Sequence, residues 1–299
     1  MANTLNKVNL AQIARDSIEY FGSKHFPVQA FAQNFSDEIA QKGDSVKTRI
    51  PSAIAAKDLS GGFTADDVSN TGVTVTLNKF KGTVFKLSDS EISKAGNAHW
   101  LKDQFMEPAR EATVDAFMAD AFALVLNAAY SNKTVKVAAD FNADALADVG
   151  IALSTRKVPK ANRHIILPPS YVGTLVKDLS IVDKGASGTD DPIKENKLLR
   201  ARGFDIHEYE GIPANGESLK AVAQHPSAMG FAARPVADPN KVATHSGVEV
   251  INITEPNTGL PYQFRMWYER KDGALYISTG FLYGMSVGNA NSMQRITSA

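Results

Sequence analysis

GVTVTLNKFKGTVFKLSD, residues 72–89, is the stretch on which the fold turns. Val73, Val75 and Leu77, then Thr83, Phe85 and Leu87, alternate with polar neighbours over two strand-length runs. A two-stranded excursion this polar is marginal in water, because it offers too little apolar surface to offset the entropy of ordering it. It needs another surface to lie on. That surface is either its own domain, against which it would fold as an edge hairpin, or a neighbouring subunit.

Working outward, EIAQKGDSVKTRIP (residues 38–51) places Gly43 and Asp44 as a turn ahead of Val46, Thr48 and Ile50, which alternate with Lys47 and Arg49 as in a half-exposed strand closed by Pro51. Between the two stretches, Ser52 to Gly72 is rich in Ala, Ser, Gly and Asp, with Gly61 and Gly62 adjacent, and reads as a long projecting loop. Nearer the N-terminus, Leu10, Ile13, Ala14, Ile18 and Phe21 have the spacing of a short amphipathic helix, and Pro27 then favours extended chain.

Downstream, Trp100 to Tyr130 predicts a long helix whose broad apolar surface includes Phe105, Ala112, Phe117, Phe122, Leu124 and Leu126, started or kinked at Pro108. Some twenty residues beyond that proline would make a rod of about 30 Å, suited to be a spine. A second helix is expected over Asn142 to Ser154, with Asn142 as its cap and Asp144 in its first turn. A strand, RHIILPP, follows, and Val182 to Asn196 reads as an exposed loop. Tyr262 to Glu269 alternates before Asp272 and Gly273, which have hairpin-turn chemistry, and ALYISTGFLYGMSV returns. Helices and strands mix without a regular βαβ alternation, so the class is α+β.

Composition narrows the function. The 299 residues are 43% hydrophobic, enough for a real core. Lys plus Arg and Asp plus Glu number 32 each, which removes the field that would steer a polyanion to the surface. There is no cysteine, hence no disulfide, thiolate chemistry or cysteine zinc site. Charges interrupt the N-terminal segment and no apolar run reaches bilayer length, so a soluble, unexported chain is expected. The sequons at Asn34, Asn132 and Asn252 are then chance matches.

Catalytic signals are weak. Gly284, Ser286 and Gly288 have the spacing of a nucleophile elbow, but no strong helix follows and no Asp, Glu or His lies downstream to complete a triad. The six histidines are scattered and read as ordinary polar or interface residues. Asp140, Asp144 and Asp148 lie four apart and could meet a hard cation, although an exposed acidic face accounts for them with fewer assumptions. No metal, nucleotide or other cofactor is called for, and the chain is not expected to be an enzyme.

The order of these segments resembles the major capsid proteins of tailed bacteriophages with the Hong Kong 97-like fold, in particular the branch of coat proteins similar to that of the Salmonella phage. The likeness is carried by residues 38–51, LNKFKGTVFKLSDSEI (77–92), MEPAREATVDAFMADAFALVL (106–126), AVAQHPSAMGFAARP (221–235) and RMWYERKDGALYISTGFLYGMSV (265–287). It implies an N-terminal arm over 1–42, an extended loop over 43–90, a peripheral domain over 91–137 and 243–299 with the spine helix, and an axial domain over 138–242.

It further implies a structural subunit that assembles with itself into hexamers and pentamers of an icosahedral virion shell around double-stranded DNA, which it contacts weakly. Assembly would take place in the host cytoplasm, with the extended loop lying over the adjacent subunit. The loop residues expected to touch that neighbour are Arg49, Lys57, Phe63, Lys79, Phe80, Lys81 and Phe85. With no room for an inserted domain and no long N-terminal extension, a separate scaffolding protein and a portal are the expected partners. Some relatives crosslink a loop lysine to an asparagine, for which Lys57, Lys79 or Lys81 and Asn289 or Asn291 are available. A cellular encapsulating nanocompartment of the same fold is the alternative, and a hydrolase using Ser286 a more remote one.

Overall fold

In a computed structural model, the described residues are 27–36, 42–51, 56–58, 60, 62–63, 67, 69–89, 107–182, 198–238, 240, 247–254 and 260–298. Their elements, in chain order, are β1 (Gln33–Asn34), β2 (Ser45–Pro51), β3 (Asn70–Thr76), β4 (Lys79–Ser88), α1 (Glu107–Ala123), β5 (Lys133–Val135), α2 (Ala143–Thr155), β6 (His164–Leu167), α3 (Pro169–Lys177), α4 (Leu179–Val182), β7 (Arg200–Ala201), β8 (Phe204–Glu208), β9 (Leu219–Gln224), β10 (Met229–Arg234), β11 (Val248–Thr254), β12 (Pro261–Glu269), β13 (Ala274–Val287) and β14 (Met293–Thr297). The mixed α+β class holds. The expected helix over Leu10–Phe21 and the expected loop over Val182–Asn196 lie outside the described residues, apart from Val182, which ends α4.

Two sheets organise the molecule. In the first, β13 is the hub: β12 and β10 succeed one another along one edge, β4 pairs along the other, and β11 and β1 extend the order. The β12–β13 hairpin turns through Asp272 and Gly273 as its sequence predicts, with Gly273 at φ 56°, a conformation favourable to glycine. The second sheet has the order β5-β14-β9-β6-β8-β7. Its strand β6 matches the RHIILPP expectation.

Helix α1 lays Val114, Phe117, Met118, Ala121 and Phe122, spaced three and four apart, onto the first sheet. There the Phe117 ring meets Phe231, Phe281 and Tyr283 at centroid distances of 6.3, 5.7 and 5.1 Å. The same core takes in Ile166, Val222 and Met293 of the second sheet, so the two sheets share one apolar interior. Helix α2 is capped as expected: Asn142 accepts from the Ala145 amide at 3.0 Å. It covers the other face of the second sheet with Leu146, Val149 and Leu153.

Two expectations need correction. The spine helix does not reach Tyr130. It ends at Ala123, where the Leu124 and Val125 amides turn to the Ala121 and Phe122 carbonyls three residues back, and the Asn215 side-chain amide donates to the Phe122 and Val125 carbonyls at 2.8 Å each. Of the expected N-terminal part, residues 100–106 lie outside the described residues, and Pro108 sits in the first turn of the described helix.

Nor do the two strands of residues 72–89 pair with each other. β3 pairs antiparallel with β2, Val75 opposite Val46, while β4 joins the first sheet through ten registered residues, from Lys79 opposite Tyr283 to Ser88 opposite Ala274. Alternation gives a strand its faces, not its partner.

Candidate assembly surface

Among the described residues, the β2–β3 ribbon packs on the body at its base. Val46, Val75 and Leu77 pack with Ala232 of β10 and Leu282 of β13, whereas the ladder beyond runs through Arg49 opposite Gly72 to Pro51 opposite Asn70, with Arg49 and Pro51 exposed. The junction is tight. A Cβ on Gly284 would overlap the Thr76 carbonyl, so only glycine lets β13 pass under the end of β3. Past Pro51, the described loop residues are exposed: Lys57, with Asp58 beside it, and Phe63, whose side chain is 91% exposed. Asp58 is held below the usual carboxylate range by hydrogen bonds from Ser60, its backbone amide first.

The other predicted contact residues, on β4, divide by strand face. Lys79 and Lys81 point to α1, where both ammonium groups meet Asp120 at 3.2 and 2.8 Å. The Tyr283 hydroxyl donates to the same carboxylate at 2.6 Å. Burial alone would raise the Asp120 pKa, but the hydrogen bonds from Lys81, Tyr283 and Lys79 outweigh it and hold the carboxyl below its ordinary value. Burial, and then the hydrogen bond to Asp120, push the Tyr283 phenol well above its ordinary value. Phe85 packs against the shared core. Within the chain Lys79 and Lys81 thus pair with Asp120 while staying partly exposed, and Phe85 is packed.

Phe80 points outward, 55% exposed, with Val84 at 63%. Between them Gly82 lies opposite Gly280, where a Cβ on either glycine would overlap the other strand's backbone. The result is a floor of Gly82, Gly280 and the small Ser278 in an open groove of about 500 Å³, bounded by Phe80 and Val84 on one side and Gln263, Arg265 and Trp267 on the other. Trp267 stacks on Tyr276 at 5.3 Å, and the Arg265 guanidinium is fixed by Gln263 Oε1 at 2.6 Å. Exposed Phe80 and Val84 beside half-buried Trp267 over a low floor suit docking of a macromolecular surface.

Ser286 lies within β13 opposite Gly230, not on a strand-to-helix turn, and Gly288, like Gly284, sits where a Cβ would overlap a neighbouring carbonyl, here that of Ser227. Asp140, Asp144 and Asp148 are exposed, and among the described residues no group of three or more His, Cys, Asp or Glu is placed to hold a metal ion. Asn289 caps its own turn by accepting from the Asn291 amide at 3.1 Å, and Arg156 donates to the Asn291 carbonyl. Among the described residues no helix is long and apolar enough to cross a membrane.

Sequence reasoning missed the Asp120 cluster, whose members come from β4, α1 and β13, and a contact between His164 and His207, which lie 43 residues apart. No local pattern marks either.

The sequence matches no protein-family model and no curated protein. The fold does match solved structures. That of Mycobacterium phage Che8 aligns over 92% of each chain at 17% identity, with a TM-score of 0.63. The capsid structure of the cyanophage P-SCSP1u aligns over 92% of this chain and 89% of that one at 13% identity and a TM-score of 0.62. The crystal structure of a virus-like particle from Pyrococcus furiosus aligns over 97% of this chain and all of that one at 13% identity and a TM-score of 0.53. The fold is thus one found in phage capsid and virus-like-particle structures, and none of the three is described as an enzyme.

Proposed function

We propose that this chain is the major capsid subunit of a tailed bacteriophage, building a closed icosahedral shell of hexamers and pentamers around double-stranded DNA. The observation that carries the reading is the end-to-end likeness to a phage capsid structure, 92% of one chain on 89% of the other, at an identity that leaves the fold as the shared property. Two features of the chain support it. The β2–β3 ribbon is anchored at its base and carries a 91% exposed phenylalanine in its loop, a side chain available to a partner. The balance of 32 basic and 32 acidic residues suits a wall that surrounds nucleic acid without gripping it.

In this reading residues 43–90 form the extended loop, 138–242 the axial domain, and the arm and peripheral domain take the remainder. Arg49, Lys57, Phe63 and Phe80 are the contact residues that reach an adjacent subunit. Lys79, Lys81 and Phe85 set the root of the loop through Asp120 and the core. A separate scaffolding protein and a portal are the partners, assembly takes place in the host cytoplasm, and the chain falls in the branch of the Salmonella-phage coat proteins. The Pyrococcus furiosus likeness favours one second reading, a nanocompartment that encloses protein cargo.

Electron microscopy of particles from cells making this chain with its genomic neighbours tests both readings. Uniform icosahedral shells that take up DNA are expected; shells filled with a partner protein would favour the second reading, and discrete small oligomers would overturn both.

A further inference from the structure

His164 and His207 stand side by side on β6 and β8, in the second sheet. His164 Nδ1 and His207 Nε2 are 3.2 Å apart, with ring centroids 5.3 Å apart and 26° between the ring planes. At that separation one ring donates N–H and the other accepts, so the pair bridges the strands as a side-chain link. The strands are parallel, with His164 opposite Asp205 and Ile166 opposite His207. On its far side β8 pairs with the two-residue β7, through Arg200 opposite Asp205 and Ala201 opposite Phe204, and the Ile206 amide donates to the Leu199 carbonyl at 2.8 Å.

Protonation acts on this link in two stages. A first proton leaves an imidazolium donating to a neutral imidazole, and the bond survives with added charge assistance. A second proton puts N–H on both facing nitrogens, which removes the acceptor and sets two cations in contact.

The surroundings offer little compensation. Asp205 Oδ2 lies 3.9 Å from His164 Nδ1, but the same carboxylate is shared with Arg200 at 3.5 Å. His225, just past β9, adds a third imidazole whose charge would oppose that of His164, and Arg163 in turn opposes a charge on His225. Glu208, next on β8, belongs to the opposite strand face. The Asp205 carboxylate acts on both rings of the pair and is shared with Arg200.

We propose that the His164–His207 pair is an acid-sensitive latch, which holds the β7–β8 edge to β6 near neutral pH and loosens that edge when both rings are protonated. It stands whether or not the chain builds a shell. The electrostatics agree in direction. Burial, and then the neighbouring His164, push the His207 pKa down to about 4, and burial lowers that of His164. With folded-state values below the ordinary 6.5, the unfolded or opened strand binds more protons in this window. The latch is therefore intact above about 6.5, weakens as the pH falls towards about 4, and weakens no further below that.

Hydrogen exchange of the full chain, compared with His207→Gln at the same pH, tests this. Glutamine keeps a hydrogen-bonding side chain and cannot take a proton. At pH 7.5 the amides of residues 200–208 should exchange alike in both proteins. At pH 4.5 the wild-type amides there should exchange about tenfold faster or more than the variant's, with α2 unchanged. An equal ratio at both pH values overturns the latch. If glutamine already frees the edge at pH 7.5, the wild-type imidazole carbon shifts decide: two coupled steps, both below 6.5, uphold it, and independent steps near 6.5 overturn it.

Discussion

Residues 72–89 divide into two strands of similar composition and opposite fate. β4 is zipped to β13 along its whole length and pinned to α1 through Lys79 and Lys81 on Asp120. β3, two residues upstream, leaves the body with β2 as its partner and is anchored by Val46, Val75 and Leu77 near one end. The difference lies in what each strand meets, not in its own pattern. Gly82 faces Gly280, so β4 can lie flat against the hub strand, while Gly284 lets β13 pass beneath the base of the ribbon and leaves the rest of the ribbon outside. Two adjacent strands thus serve opposite ends: one roots the loop, the other carries it away.

The contrast is broken most severely at Gly284. Gly284→Ala sets a methyl into the Thr76 carbonyl and must displace the ribbon base, with an expected loss of about 3 kcal/mol or more in urea unfolding. A loss below about 1 kcal/mol would show that the base is not fixed to β13. Asp120→Asn comes next. It leaves two lysines and Tyr283 without their carboxylate and should cost about 1.5–3 kcal/mol. Because the Asp120 carboxyl is held below its ordinary 3.8, that difference should stay level from pH 8 down to about 4 and shrink only in stronger acid, as the wild-type group takes up its proton. An advantage that already fades near pH 6 would point to a histidine instead.

Phe63→Ser should have the smallest effect on the isolated fold. A side chain 91% exposed should change the unfolding free energy by less than about 0.5 kcal/mol, while particle yield falls sharply. Destabilisation of the lone chain by more than that would mean that Phe63 packs on its own body.

What the sequence discloses follows the range of the forces involved. β2, β3 and β4 show in alternation, α2 in its Asn142 cap, and the β12–β13 hairpin in Asp272 and Gly273, because each signal lies within a few residues of its effect. Strand partners do not show, since a pleated strand offers the same faces to any neighbour. The end of α1 is bonded by Asn215, 93 residues from Phe122, and the buried Arg295 binds the Tyr130 carbonyl, Asn127 and Glu217 from far along the chain. Of the seven predicted contact residues, Arg49, Lys57, Phe63, Phe80 and Lys81 are exposed, as their polar surroundings in the sequence suggest. That Lys79 and Lys81 pair with Asp120 is visible only in the fold.

The central claim is that the outer part of the ribbon serves assembly and not the fold of the chain that bears it. Pro51 lies opposite Asn70, so residues 52–69 can be replaced by an Asn-Gly turn without disturbing the ladder. Electron microscopy of that shortened chain, beside its circular dichroism and thermal unfolding, is the most direct measurement. A folded chain of unchanged stability that forms no closed shells is the predicted result; uniform shells made by the shortened chain, or its failure to fold, would contradict the account.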